Sequence, residues 1–152
     1  MSVHSKAARA YFEEGYSCSQ AVFLAFTDVT GLDRETSLRI SSSFGGGMGR
    51  LREVCGALAA AFMALGAAEG YTDPKDTAAK TYHYERVQEL GLSFKRRYGT
   101  LLCRELLELE VVHDLPEPEE RTKEYYKKRK CGDYVEHAAE LLDKCLGIGE
   151  SK

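Results

Sequence analysis

The stretch Val54-Cys55-Gly56-Ala57-Leu58-Ala59-Ala60-Ala61-Phe62-Met63-Ala64-Leu65 decides the fold. It is apolar at every helical position, so a helix built from it has no face suited to water. A helix from about Arg52 to Glu69 is therefore expected at the buried centre, with small residues that let its neighbours come close. No segment alternates with the period of two that marks a strand, and the prolines are few: Pro74, Pro116 and Pro118. The chain reads as all-α, a single-domain helical bundle of about six or seven helices over residues 1–152.

Outward from that centre, a first helix is expected from Val3 to Glu14, stopped by Gly15. A second, capped by Ser17, runs to about Val29 with Cys18, Ala21, Val22, Ala25 and Val29 at helical spacing. Asp33 caps a third that ends near Ser43. Beyond the central helix, Asp73-Pro74 opens a long fifth helix, since Pro suits the first helical position. Val87, Leu90, Phe94 and Tyr98 form its inward stripe, and Gly91 costs about 1 kcal/mol relative to Ala. Thr100 caps a sixth with Leu102, Leu106 and Leu109 inward. The segment from Val112 to Lys130 is polar and reads as a surface excursion. A last helix runs from about Asp133 to Leu146.

The hydrophobic fraction is 43%, which suits a folded domain with one core. A net charge of −3 gives a nucleic-acid role no bulk electrostatic support. The apolar run from Val54 to Ala68 is too short for a membrane span. The first ten residues carry charge and no signal-peptide apolar region, so a cytoplasmic location is expected. Five cysteines in a reducing compartment point away from a disulfide scaffold and towards metal binding, catalysis or burial.

Four of the five, Cys18, Cys55, Cys103 and Cys131, fall where a helix should begin. A helix N-terminus offers unpaired N–H groups and a partial positive charge, and both favour the thiolate that attacks disulfides and binds metals. Four thiolates suit a tetrahedral zinc or an iron–sulfur cluster; two suffice for a dithiol pair. No C-x-x-C and no C-x-x-C-H is present, so any site is assembled by tertiary structure and no haem is attached. Cys145, late on an apolar helical stripe, reads as a packing residue.

The run Phe44-Gly45-Gly46-Gly47-Met48-Gly49 precedes the central helix. Gly45, Gly46, Gly47 and Gly49 allow dihedrals closed to other residues and expose N–H groups able to cradle an anion. Their expected use is to stabilise negative charge near Cys55; a tight helix connection is the plainer reading. Arg50 and Arg52 flank the site, either supporting a thiolate or solvated. Lys127-Lys128-Arg129-Lys130 precedes Cys131 and either lowers its pKa or is a solvated run, the plainer reading, since exposed charges are screened over roughly 8–10 Å. His83 lies beside the stripe of the fifth helix as a core residue, while His4, His113 and His137 read as surface residues.

Gly15-Tyr16-Ser17-Cys18-Ser19-Gln20-Ala21-Val22, the glycine run, Glu53-Val54-Cys55-Gly56-Ala57, Met63-Ala64-Leu65-Gly66, Cys103-Arg104-Glu105-Leu106-Leu107 and Cys131 together resemble the C_GCAxxG_C_C family of redox-active proteins. The resemblance spans nearly the whole chain and places Cys18, Cys55, Cys103 and Cys131 at the four motif positions. Ala60 departs from it, since the motif would place Gly there. The family is similar in turn to part of the split-Soret cytochromes, which implies a cysteine-bound iron–sulfur site without their haem.

Three functions follow. The first is an electron carrier or redox sensor in which the four motif cysteines bind an iron–sulfur cluster or another thiophilic metal. The second is a thiol-disulfide oxidoreductase with Cys55 as nucleophile and another motif cysteine, Cys18, as its partner. The third is a binding module, with zinc as a structural alternative. The redox partner is open, and the small-residue helical surface raises the expectation of a homodimer.

Overall fold

A computed structural model describes residues 1–149. Local capping sets most helix starts. Ser2 and Ser5 form a reciprocal capping box that opens α1 (Val3–Glu13). Ser17 and Gln20 do the same for α2 (Cys18–Ala25). The second helix breaks at Phe26, and α3 (Thr27–Thr30) follows as a separate turn ended by Gly31 at φ 73°. Asp33 accepts the Thr36 N–H at 2.7 Å and starts α4 (Arg34–Ser42).

The central helix, α5 (Gly56–Glu69), is as buried as its composition demands: Ala57, Leu58, Ala60, Ala61, Ala64 and Leu65 are fully enclosed. It begins at Gly56 rather than Arg52, because residues 52–55 are used in pairing. Val54 forms an isolated antiparallel bridge with Leu102, Cys55 N–H donates to the Leu101 carbonyl at 2.8 Å, and Cys103 N–H donates to the Glu53 carbonyl at 2.6 Å.

The same pairing shortens the expected sixth helix. Leu102 is extended, Thr100 does not cap it, and α7 is the single turn Cys103–Leu106. Between them, α6 (Thr77–Tyr98) is capped by Asp76, not opened by Pro74. Gly91 leaves α6 unbroken. A Cβ there would lie 3.2 Å from Phe62, so the glycine lets α6 cross close to α5.

The polar excursion holds one short helix, α8 (Lys123–Lys128), capped by Thr122. The last helix, α9 (Cys131–Leu146), begins two residues before the expected Asp133. α2 and α9 pack against α5, and α1 packs across α2 and α9, with Phe12, Val22, Phe23, Phe94, Val135 and Leu142 in one continuous core.

His4 corrects a sequence expectation. It is buried, stacked on Phe26 with ring centroids 4.2 Å apart. Its Nδ1 lies 2.7 Å from Asp143 Oδ1 and its Nε2 lies 2.9 Å from both Asp28 oxygens. His83 meets Tyr71 edge-on, away from the cysteines.

Candidate cysteine site

Each motif cysteine stands at a helix start. Cys18 is the first residue of α2, Cys55 the N-cap of α5, Cys103 the first of α7 and Cys131 the first of α9. The Val54–Leu102 bridge sets the α5 and α7 starts side by side. All four cysteines are free and line one cavity of about 290 Å³; Cys145 lies outside it.

The glycine run forms the cavity's wall, and its conformation explains its composition. Gly46, Gly47, Met48, Gly49 and Arg50 all have positive φ, between 60° and 70°. Met48 N–H donates to the Phe44 carbonyl and Gly49 N–H to the Gly45 carbonyl, so this is a left-handed helical turn. Such a turn costs roughly 1–2 kcal/mol at each non-glycine residue, which here means Met48 and Arg50. In return it brings backbone against the cysteines. A Cβ on Gly47 would sit 2.6 Å from Cys103 Cβ. Gly56 is pressed as tightly, because its Cβ would lie 2.4 Å from the Phe44 carbonyl oxygen and 2.7 Å from Cys18 Sγ.

The N–H cradle read from the sequence serves a different cysteine from the one expected. Gly46 N–H faces the Cys18 sulfur, and Gly49 N–H is spent within the turn. Burial pushes the Cys18 thiol up, with the Gly46 N–H pulling against it. Burial, then the neighbouring Cys18, push Cys55 well up, and the Leu58 and Ala57 N–H groups offset only part of this. Cys131 is pushed up to about 12, again chiefly by burial. At these three sites desolvation outweighs the helix-start effect. A resting thiolate at Cys55, which a nucleophile there requires, is therefore opposed by its surroundings.

Cys103 has a different neighbour. Arg52 Nη1 lies 3.5 Å from its sulfur, and Arg52 is itself only 4% exposed. Asp114 accepts from Arg52 Nε at 3.2 Å and Nη2 at 3.0 Å, and from Arg50 Nη2 at 3.1 Å. Asp114 belongs to a strap that crosses the cavity, where Pro116, Pro118 and Glu119 line it. Arg121 holds the far end of the strap. It donates to the Phe12 and Tyr16 carbonyls and stacks over Phe12 and Tyr125.

Sequence reasoning missed Arg121, Tyr125 and Tyr134 as parts of this cavity, and Asp114 as the partner of Arg52. Tyr134 alone had a readable signal, since it lies three residues after Cys131 on the same helix face.

The donor set is chemically suited to a thiophilic group. Zinc bonded to four sulfurs at about 2.3 Å would draw them to about 3.8 Å apart. Among the described residues no three Cys, His, Asp or Glu side chains are grouped to hold a single ion. The sulfurs instead surround a cavity, and each of Cys18, Cys55 and Cys131 feels others of the set electrostatically. A cavity lined by four cysteines supplies the number of thiolate ligands that an iron–sulfur cluster takes.

A family model described as "Putative redox-active protein (C_GCAxxG_C_C)" matches residues 16–145. No curated protein and no solved structure matches the chain. Of the matched span, only Ala60 breaks the motif read from the sequence, and its methyl is fully enclosed in α5.

Proposed function

Because the chain belongs to the C_GCAxxG_C_C family of redox-active proteins, we propose that Cys18, Cys55, Cys103 and Cys131 together hold an iron–sulfur cluster, and that the protein carries electrons or senses redox state. The observation that carries this reading is the shared cavity: four free cysteines from four helix starts line it, and the fifth cysteine does not.

A bound cluster would supply one-electron exchange. The protein's own contributions are separable. The left-handed glycine turn lets backbone reach the cysteines. The Gly46 N–H supports charge on Cys18, and Arg52 supports it on Cys103. The strap and Arg121 line the cavity, and the surroundings of a site tune its potential. The raised thiol pKa values are no obstacle to ligation, because a metal displaces the proton and makes binding pH-dependent.

The test is anaerobic purification without a metal-affinity tag, followed by iron, acid-labile sulfide and visible absorption. Iron with sulfide and broad visible absorption is expected in the wild type and in Cys145→Ala. Both signals should fall in Cys55→Ala and Cys103→Ala. Zinc alone would replace this reading with a structural site, and a colourless, metal-free protein with reactive thiols would replace it with a dithiol enzyme.

A further inference from the structure

We infer that Arg52 is a positioning residue that raises the reduction potential of the cysteine-bound cluster through Cys103, with Asp114 as its clamp; this rests on the cluster reading above. The guanidinium is committed in a way that surface arginines are not. Nη1 points at the Cys103 sulfur, while Nε and Nη2 both hold Asp114 Oδ2. Its backbone is fixed as well. Arg52 N–H donates to the Gly46 carbonyl, and the Arg52 carbonyl accepts from Arg104 N–H and Arg104 Nη1. Arg52 also sits at φ 57°, a conformation that disfavours any residue with a Cβ. Packing a long cation to 4% exposure beside a sulfur, on a disfavoured backbone, serves the fold poorly and the sulfur well.

The charge argument fixes the sign. Reduction moves one electron from an external one-electron donor onto the cluster and so adds one negative charge at the cysteine cavity. A fixed guanidinium against a ligand sulfur stabilises that added charge more than it stabilises the oxidised form. Asp114 opposes it electrostatically while holding it in place. The two residues therefore act on the potential with opposite signs, which distinguishes tuning from mere structural support.

The experiment is an anaerobic potentiometric titration with dithionite as reductant, followed by the visible spectrum, with iron content measured on each variant. Arg52→Gln should make reduction about tenfold less favourable, a lowering of about 59 mV for one electron. Arg52→Lys keeps the charge and should recover much of that loss. Asp114→Asn keeps an acceptor for the clamp, removes a negative charge, and should move the potential upward. Should Arg52→Gln fail to take up iron, the Lys and Asn variants decide the matter. Potentials that stay put, or that move the same way in Arg52→Gln and Asp114→Asn at full iron content, overturn the inference and leave the cluster reading standing. A wild type without iron and sulfide overturns both.

Discussion

Gly47 and Gly66 make a matched pair for judging what the glycine turn does. Gly47 has φ 66°, and a methyl there would meet Cys103 Cβ at 2.6 Å and the Arg52 Cα and Glu53 N at 3.0 Å. Two of those three neighbours are backbone and cannot step aside. Gly66 lies inside α5 with open space where its Cβ would be. The same substitution should therefore act with opposite sign at the two sites. Gly47→Ala combines left-handed strain of about 1–2 kcal/mol with overpacking of about 1–3 kcal/mol. Gly66→Ala should gain up to about 1 kcal/mol of helix propensity. Denaturant midpoints at unchanged slope measure both, and a Gly47→Ala protein as stable as wild type would show that the turn can relax away from Cys103. The glycines of this turn were visible in the sequence. That Met48, Arg50 and Arg52 share the left-handed region was not, because nothing about those residue types announces it.

Among the elements, helix starts were the most legible, because capping is local chemistry. Ser17 and Asp33 act within three residues of where they stand, and Ser17 thereby places Cys18 at the start of α2, whereas Cys55, Cys103 and Cys131 stand at helix starts that no side chain caps. Extents were less legible where a distant partner competes for the backbone. Residues 52–55 and 101–104 pair with each other, which delays α5 and reduces α7 to one turn. The most consequential miss was His4, whose burial depends on α1 packing against α9, a contact between opposite ends of the chain.

That contact yields a prediction with a pH signature. Burial pushes the Asp143 carboxyl up, with the Ser2 hydroxyl and His4 pulling against it. His4→Ala strips the enclosed Asp143 of its imidazole partner, at a cost of about 3 kcal/mol, the low end for a broken buried pair because Asp28 is largely exposed. It also leaves Asp143 raised further. A carboxyl raised in the folded state favours folding below its unfolded value of about 3.9 and loses that contribution as pH rises through its folded value. The gap in melting temperature between His4→Ala and wild type should therefore be widest near neutrality and narrow as pH falls. A gap that is constant or widens in acid would show that Asp143 does not carry the cost.

At the scale of the whole molecule, the four motif cysteines come from α2, α5, α7 and α9, elements scattered from one end of the chain to the other. Whatever bonds all four therefore ties the central helix to its neighbours and to the turn that carries Cys103. Binding that favours only the folded chain stabilises it by mass action, about 4 kcal/mol at a thousandfold excess over Kd. For a chain of this size that is roughly 8–16 °C in Tm, at about 2–4 °C per kcal/mol. Anaerobically purified protein should thus melt well above the same protein stripped with an iron chelator. Cys145→Ala should keep the whole difference, since Cys145 lies outside the cavity. Cys18→Ala should lose most of it, since Cys18 lines the cavity. The comparison uses stability rather than activity, so it needs no redox partner. Equal melting temperatures before and after stripping, in a protein that had carried iron, would mean that the iron was held at the surface and not by these four helix starts.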